Sequence, residues 1–366
     1  MIYADNAATS PLDPEIFPAM KEFLLHDFSN PSQPYSFSRK SRKAIADSRE
    51  RIAHCINAQP DEIFFTSGGS ESDNWAVKSS GRKRIITSAI EHKAVLKSCH
   101  ASSSSVKEIP VDSSCTVITS SLPDALNECD SPALVSVMLA NNETGAIQPV
   151  KEIADISHRH GAIFHTDAVQ ALGHIPVDVK ELGVDMLSGS SHKFNGPRGV
   201  GFLYVRRGIS IRPFVDGGSQ ESGLRAGTEN TAGIVGMSLA LENNCRDIQR
   251  NKSHLLTLEN ILLDGLRRNS IDFIRNGRNT LPGVLSLSFR NDDGERILHR
   301  LDLKGICIST GSACDGMNHN ISHVVRSMNL PPEYARGTVR ISFGKYNTED
   351  DAKIIADSLV KIIPIR

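Results

Sequence analysis

The chain has 366 residues, 41 lysines and arginines against 42 aspartates and glutamates, and 39% hydrophobic content. That length allows one large domain with a substantial core and a smaller one beside it and excludes a single small module; a net charge of -1 excludes bulk attraction to nucleic acid or an acidic membrane. Seven cysteines without a C-x-x-C spacing suit neither a disulfide framework nor a zinc cage, and no stretch approaches the roughly 18 to 20 apolar residues of a membrane span, so the expectation is a soluble, cytoplasmic protein in a reducing compartment.

In chain order, residues 14–28 are predicted to form an amphipathic helix with Ile16, Phe17, Met20, Phe23 and Leu24 on one side, ended by the turn Asn30-Pro31-Ser32. Ser38 is placed to cap a long helix reaching Ile56, whose buried stripe is Ala44, Ile45, Ile52 and Ile56. From Glu62 onward short apolar runs alternate with helix-sized segments: 63–66, 84–88, 106–111, 133–139, 162–165 and 186–188, with 199–206 closing the series. This is the pattern of a largely parallel sheet with helices on both faces. Residues 231–243 and the polar stretch after them are predicted helical. The last hundred residues alternate differently, with strands at 283–289, 305–308 and 338–343 and helices at 294–301 and 319–328, an α+β unit. Thr348 opens the final helix with Asp351 three residues on, a partial capping box.

Ligands of open α/β sheets bind beyond the carboxyl ends of the strands, so the residues after each strand carry the information. After 63–66 come Ser67-Gly68-Gly69-Ser70-Glu71-Ser72, small residues entering a helix that starts near Ser70. Backbone N–H groups exposed there suit a phosphate, although Gly-Gly before a helix is more often only a turn. After 162–166 comes Asp167-Ala168-Val169-Gln170. Asp167 either caps the next turn or faces a pyridine nitrogen and keeps it protonated, letting the ring draw negative charge from an amino acid's Cα; Gln170 then reaches the ring hydroxyl. After 186–188 comes Gly189-Ser190-Ser191-His192-Lys193, leading into a glycine-rich stretch. A lysine is ordinarily a solvated surface charge, but one partly desolvated at a strand end offers a neutral amine for a Schiff base with pyridoxal 5'-phosphate. Ser190 and His192 stand ready for phosphate oxygens, and His92, after 84–90, either stacks on the cofactor or caps a surface helix.

The segments DNAAT, TSGGSESDN, EHKAV, NNETG, HTDAVQ, SSHKFNGPRGVG, GLRAGTEN, STGSAC and VRISFG follow one another from the N-terminus to the last helix. In that order they resemble the motifs of the class V aminotransferase family of fold type I pyridoxal phosphate enzymes, and within it the cysteine desulfurases of the NifS/IscS type. The resemblance implies an α/β fold: a large cofactor-binding domain (14–250) whose mostly parallel seven-stranded sheet is sandwiched by helices, and a smaller α+β domain (1–13 and 251–366) carrying the cysteine loop. It implies conversion of L-cysteine to L-alanine, with sulfur held on Cys314 as a persulfide for delivery to an acceptor protein, such as an iron–sulfur scaffold or a tRNA-thiolation protein.

Residue by residue, Lys193 matches the Schiff-base lysine and proton-transfer base, Asp167 the pyridinium partner, Gln170 the ring-hydroxyl partner and His92 the stacking imidazole. Gly69, Ser70, Ser190 and His192 match phosphate-binding positions. Thr228 matches a phosphate ligand given by the other subunit, which implies a homodimer. Asn142 and Arg340 match the groups that hold the substrate carboxylate, and Cys314, flanked by glycines, matches the nucleophile. Cys307 and the remaining cysteines read as ordinary buried residues, and His158, His160 and His165 as non-ligands, with no metal expected. The chain departs from the family at Gln33, since members carry a histidine soon after Asn-Pro-Ser, and at Asp315 and Gly316, where a small hydroxyl residue is common after the cysteine. A selenocysteine lyase or an aminotransferase are the alternatives on the same fold, which Cys314 separates; a non-catalytic partner protein would form no Schiff base.

Overall fold

The computed structural model describes residues 1–103, 105–128, 132–310 and 321–363. It opens with a two-residue strand, β1 (Ile2–Tyr3), and two helices, α1 (Phe17–Leu25) and α2 (Ser38–Cys55). The central sheet then collects β2 (Ile63–Thr66), β3 (Arg84–Ser88), β4 (Ser105–Ile109), β5 (Ala133–Ser136), β6 (Ile163–Asp167), β7 (Met186–Ser190) and β8 (Gly201–Val205) in the order β2-β8-β7-β6-β5-β3-β4. All neighbours from β7 to β4 pair in parallel, and only β8 runs against the rest. Every residue of β3, β5, β6, β7 and β8 is buried, which is why these strands read as continuous apolar runs rather than alternations. The edge strand β4 is the exception: mostly exposed, it carries Lys107 and Glu108, charges that blunt an open edge against further pairing.

Because six strands share one direction, the carboxyl ends of β2, β3, β6 and β7 open on the same edge of the sheet. Register does the rest. Asp167 pairs with Ser188, and Gly201 lies between Thr66 and Ser190. A Cβ at Gly201 would stand 2.7 Å from Gly68 Cα, so only glycine lets β2 and its following turn approach β7 this closely. Helices α3 (Gly69–Ser79) and α4 (Lys93–Ser102) leave from that same edge.

A second sheet holds β9 (Phe273–Asn276), β10 (Val284–Phe289) and β12 (Thr338–Ser342) in the antiparallel order β12-β10-β9, while β11 (Ile306–Cys307) pairs in parallel with β1. Leu285, Leu287, Val339 and Ile341 pack with Leu258, Leu262, Ile355 and Leu359 in a core of their own, separate from that of the large sheet. Side chains alternate along a strand, so Arg340, between Val339 and Ile341, leaves this core on the opposite face. Backbone hydrogen bonds with Ser309 in both directions hold it there.

Several local expectations shift. The first helix stops at Leu25, and Phe17 and Leu24 are about half exposed while Ile16 and Met20 are buried, so the apolar residues serve two faces rather than one. Ser38 lies inside α2; its hydroxyl donates to Asn30 O at 2.8 Å instead of capping. The capping box of helix Glu349–Ile362 is complete, with Thr348 and Asp351 bonding reciprocally. The helix expected over 319–328 is described from His323 to Ser327.

Candidate active site at the strand ends

A cavity of about 580 Å³ opens at the carboxyl edge of the large sheet. Gly69, Ser70, His92, Asn142, Asp167, Gln170, Ser190, His192, Lys193 and Arg340 all line it. Thr228 does not; it is exposed. Cys314, with Asp315 and Gly316, lies outside the described residues, but Thr310, the last described residue before them, is part of the cavity wall.

Lys193 ends a 3-10 turn that follows β7, and Asn195, two residues on, takes a left-handed φ of 62°. The turn is pinned from the N-terminal segment. Ser10 N–H donates to His192 O at 2.8 Å, and Asn195 N–H donates to Ser10 Oγ at 2.8 Å. Lys193 Nζ donates to the carbonyls of Ala7 at 2.6 Å and Ala8 at 2.9 Å. Gln170 Nε2 donates to the same Ala7 carbonyl at 3.0 Å, so residues 5–9 bridge the lysine and the end of β6.

Asp167 serves as a turn cap and lies in the cavity wall. Its Oδ1 accepts the Val169 N–H at 2.9 Å, as a turn cap does, and the side chain also faces the cavity. Burial pushes its pKa up, opposed by the positive charges of His92 and Lys193. His92 caps α4 through Nδ1, 3.2 Å from Ala94 N, and also lines the cavity, with its pKa pushed down by burial. His192 Nδ1 lies 3.1 Å from Thr9 Oγ1, and burial, aided by Lys193 and Arg198, lowers its pKa to about 4.

The start of α3 has no side-chain cap; its N-cap is Gly68, with φ 151°. A Cβ at Gly69 would come within 2.7 Å of Val169 and 3.4 Å of Ser190 Cβ. Uncapped N–H groups, bare glycines and the adjacent Ser190 and His192 together form a cradle for a phosphate. With a buried carboxyl, a lysine amine and an imidazole in the same cavity, the residues present fit pyridoxal phosphate.

Arg340 is buried, and its Nη1 donates to Asn142 O at 2.7 Å while Nη2 donates to Asp5 Oδ1 at 2.6 Å. Asp5 and Thr9 are contributors that single-residue reasoning passed over, although both sit in the DNAAT segment it quoted. Asp73 was also missed; it lies four residues after Gly69, one helical turn along α3, and so on the same face. Beneath the cavity, Glu91 accepts both Met138 N–H contacts at 3.0 Å and is pushed up to about 8 by burial; Glu143 accepts Ser322 Oγ–H at 2.6 Å and is pushed up to about 7. The three histidines read as non-ligands have protein partners: His158 meets Asp185 at 3.0 Å, His160 the Ile156 carbonyl, and His165 both Ser136 and Ser188.

Comparison with known proteins shows the family. The model of the family described as aminotransferase class-V matches residues 2–355. A cysteine desulfurase IscS of Dictyoglomus turgidum is 45% identical over 99% of the chain and 94% of its own length, and the cysteine desulfurase NifS of Azotobacter vinelandii 39% identical over 99% and 92%. A solved NifS-like protein superposes with a TM-score of 0.92 at 37% identity, covering 99% of this chain and 98% of that one. On the strength of these full-length matches, the chain belongs to the class V aminotransferases, among the cysteine desulfurases of the NifS/IscS type.

Proposed function

We propose that the chain takes sulfur from L-cysteine, releasing L-alanine and leaving the sulfur on Cys314 as a persulfide. The observation that supports this most is convergence: ten residues drawn from separate strand ends and from a second sheet line one cavity. Pyridoxal phosphate, when bound, supplies an electron sink for negative charge at the amino acid's Cα. The uncapped start of α3, with Ser190 and His192, would hold its phosphate, and Thr228 of a second copy would add a further contact. Asp167 would pair with the ring nitrogen, whose proton would hold the buried carboxyl in its charged form. Gln170 would meet its ring hydroxyl and His92 would lie against the ring.

Lys193 would anchor the cofactor, and its amine takes the proton from the substrate Cα. Its contacts to the Ala7 and Ala8 carbonyls keep the amine at the cavity wall. Arg340 and Asn142 hold the substrate carboxylate, which fixes the direction in which the sulfur points. The Cys314 thiolate attacks that sulfur: the S–S bond forms as the Cβ–S bond breaks, the electron pair stays with the carbon side, and a proton at Cβ completes the methyl group of alanine.

The active species is a homodimer in the cytoplasm, with the chain divided into a large domain (14–250) and a small one (1–13 and 251–366). The second sheet's own core around Leu258, Leu285, Ile355 and Leu359 supports the division, while Leu281, Val284, Val324 and Met328 pack across it into the core of the large sheet. Exposed Phe17, Leu24, Leu25, Phe28, Tyr35 and Phe37, on α1 and the turn after it, support a second copy, since a monomer seldom leaves so many large apolar groups in water. Among the described residues no helix is long and apolar enough to cross a membrane. The persulfide passes to an acceptor protein, an iron–sulfur scaffold or a tRNA-thiolation protein. Borohydride reduction of the yellow enzyme followed by peptide mapping tests the cofactor assignment: the label is expected on Lys193, and a label elsewhere, or a protein that takes up no pyridoxal phosphate, contradicts it.

A further inference from the structure

The geometry points to Asp5 as the chain's own stand-in for the substrate carboxylate: it occupies Arg340 and has to yield when the α-carboxylate of L-cysteine arrives. This rests on the reading that Arg340 holds that carboxylate.

The guanidinium edge formed by Nε and Nη2 is the one a carboxylate spans with two parallel hydrogen bonds. Asp5 uses only half of it. Its Oδ1 accepts from Nη2 at 2.6 Å, while Nε is buried with no partner among the described residues. Nη1 is held apart by the Asn142 carbonyl at 2.7 Å, which fixes the plane of the group and turns the Nε–Nη2 edge toward one occupant. Asp5, Asn142 and Arg340 all line the cavity, so an incoming carboxylate can reach that edge, and a two-bond partner there takes over the place of a one-bond partner.

Asp5 is built to give way. Its backbone is fixed independently of its side chain: its carbonyl accepts from Tyr3 Oη at 3.1 Å and from Ala8 N at 3.0 Å, and it bridges Ser342. The Asp5 side chain is more exposed than that of Arg340, 17% against 8%, so the displaced carboxylate is the partner nearer to water. Until substrate arrives, Asp5 spares Arg340 the cost of a buried unpaired charge. The same contact makes the site selective. An amine thiol without an α-carboxylate has nothing with which to displace Asp5, whereas a carboxylate competes for the edge and its apparent affinity is lowered by the fraction of sites that Asp5 holds.

The test measures propionate binding to the holoenzyme by calorimetry, and steady-state turnover of L-cysteine and of cysteamine, in the parent and in Asp5→Asn, Asp5→Ala and Arg340→Gln. We expect both Asp5 variants to bind propionate about tenfold more tightly and to lower KM for L-cysteine in step, with kcat changed less and cysteamine unaffected. Asn retains an acceptor where Ala does not, so if Ala unfolds the chain the Asn variant still decides. Unchanged propionate affinity and an unchanged cysteine-to-cysteamine ratio in a folded Asp5 variant overturn the inference, provided Arg340→Gln abolishes propionate binding. If Arg340→Gln binds propionate as the parent does, the assignment of Arg340 falls, and the inference with it.

Discussion

Burial turns two acids, Glu91 and Glu143, into proton-holding groups. Glu91, pushed from 4.5 to about 8, stays neutral in the fold at pH values where it is ionised in the unfolded chain. The folded state therefore binds more protons between pH 4.5 and 8, and stability falls as pH rises through that window. His165 works at the other end. Burial lowers its pKa from 6.5 to about 3, so the unfolded chain takes up a proton that the fold refuses, and stability falls as pH drops from 6.5 toward 3. Glu91→Gln keeps an acceptor for Met138 N–H but cannot ionise; its melting temperature, followed by circular dichroism across this range, is expected to flatten on the alkaline side and keep its acid fall. A parallel shift at all pH values would contradict the burial argument. The place of Lys193 and Asp167 in the cavity wall was legible in sequence because a strand end announces itself. The charge states of Glu91 and Glu143 were not, although both lie in quoted motifs, because they depend on which distant backbone groups close over them.

At the level of elements, the phosphate cradle depends on glycines in three segments meeting. A Cβ at Gly201 would meet Gly68 Cα at 2.7 Å and Gly189 O at 2.5 Å, both backbone atoms that no rotamer change can move aside. Gly201→Ala is expected to cost about 1–3 kcal/mol in urea unfolding and to weaken pyridoxal phosphate binding at least tenfold by spectroscopic titration. Loss of stability with unchanged cofactor affinity would detach the sheet register from the cradle. A second tie runs through Glu71 at the start of α3: it accepts Ser67 N–H at 2.9 Å and pairs with Arg225 Nε at 2.9 Å, linking the cradle to the segment that carries Thr228. Arg225→Ala should therefore release cofactor faster on dilution, while the far-ultraviolet spectrum stays that of the parent. The helices and strands around the cradle were readable from apolar periodicity and punctuation. β1 and β9 were not, since a two-residue strand has no period and Phe273-Ile274-Arg275-Asn276 carries little apolar signal.

For the whole molecule, the alternation of apolar runs and helical segments was enough to anticipate a largely parallel sheet, because both-face burial leaves that trace in composition. What sequence order hides is the return of the N-terminus. Residues 5–10 touch Lys193 and His192 about 185 positions away, and Arg340 and Ser342 still farther along the chain. No local pattern encodes such a closure; only the packed whole does. The exposed apolar groups of α1 and its following turn belong to this scale too. Leu24→Glu combined with Phe28→Glu is expected to halve the mass seen by light scattering and to weaken cofactor binding, as the partner's Thr228 is withdrawn. A dimer that persists would place the interface elsewhere.

The central claim is that sulfur leaves L-cysteine for Cys314 in a site organised by Lys193. Incubating the purified enzyme with L-cysteine, blocking thiols and mapping peptides by mass spectrometry tests it most directly. The account predicts one added sulfur atom on the Cys314 peptide together with an equal amount of alanine, and neither product in Lys193→Ala. Alanine released without sulfur on Cys314, or at the parent rate in Cys314→Ala, would contradict it.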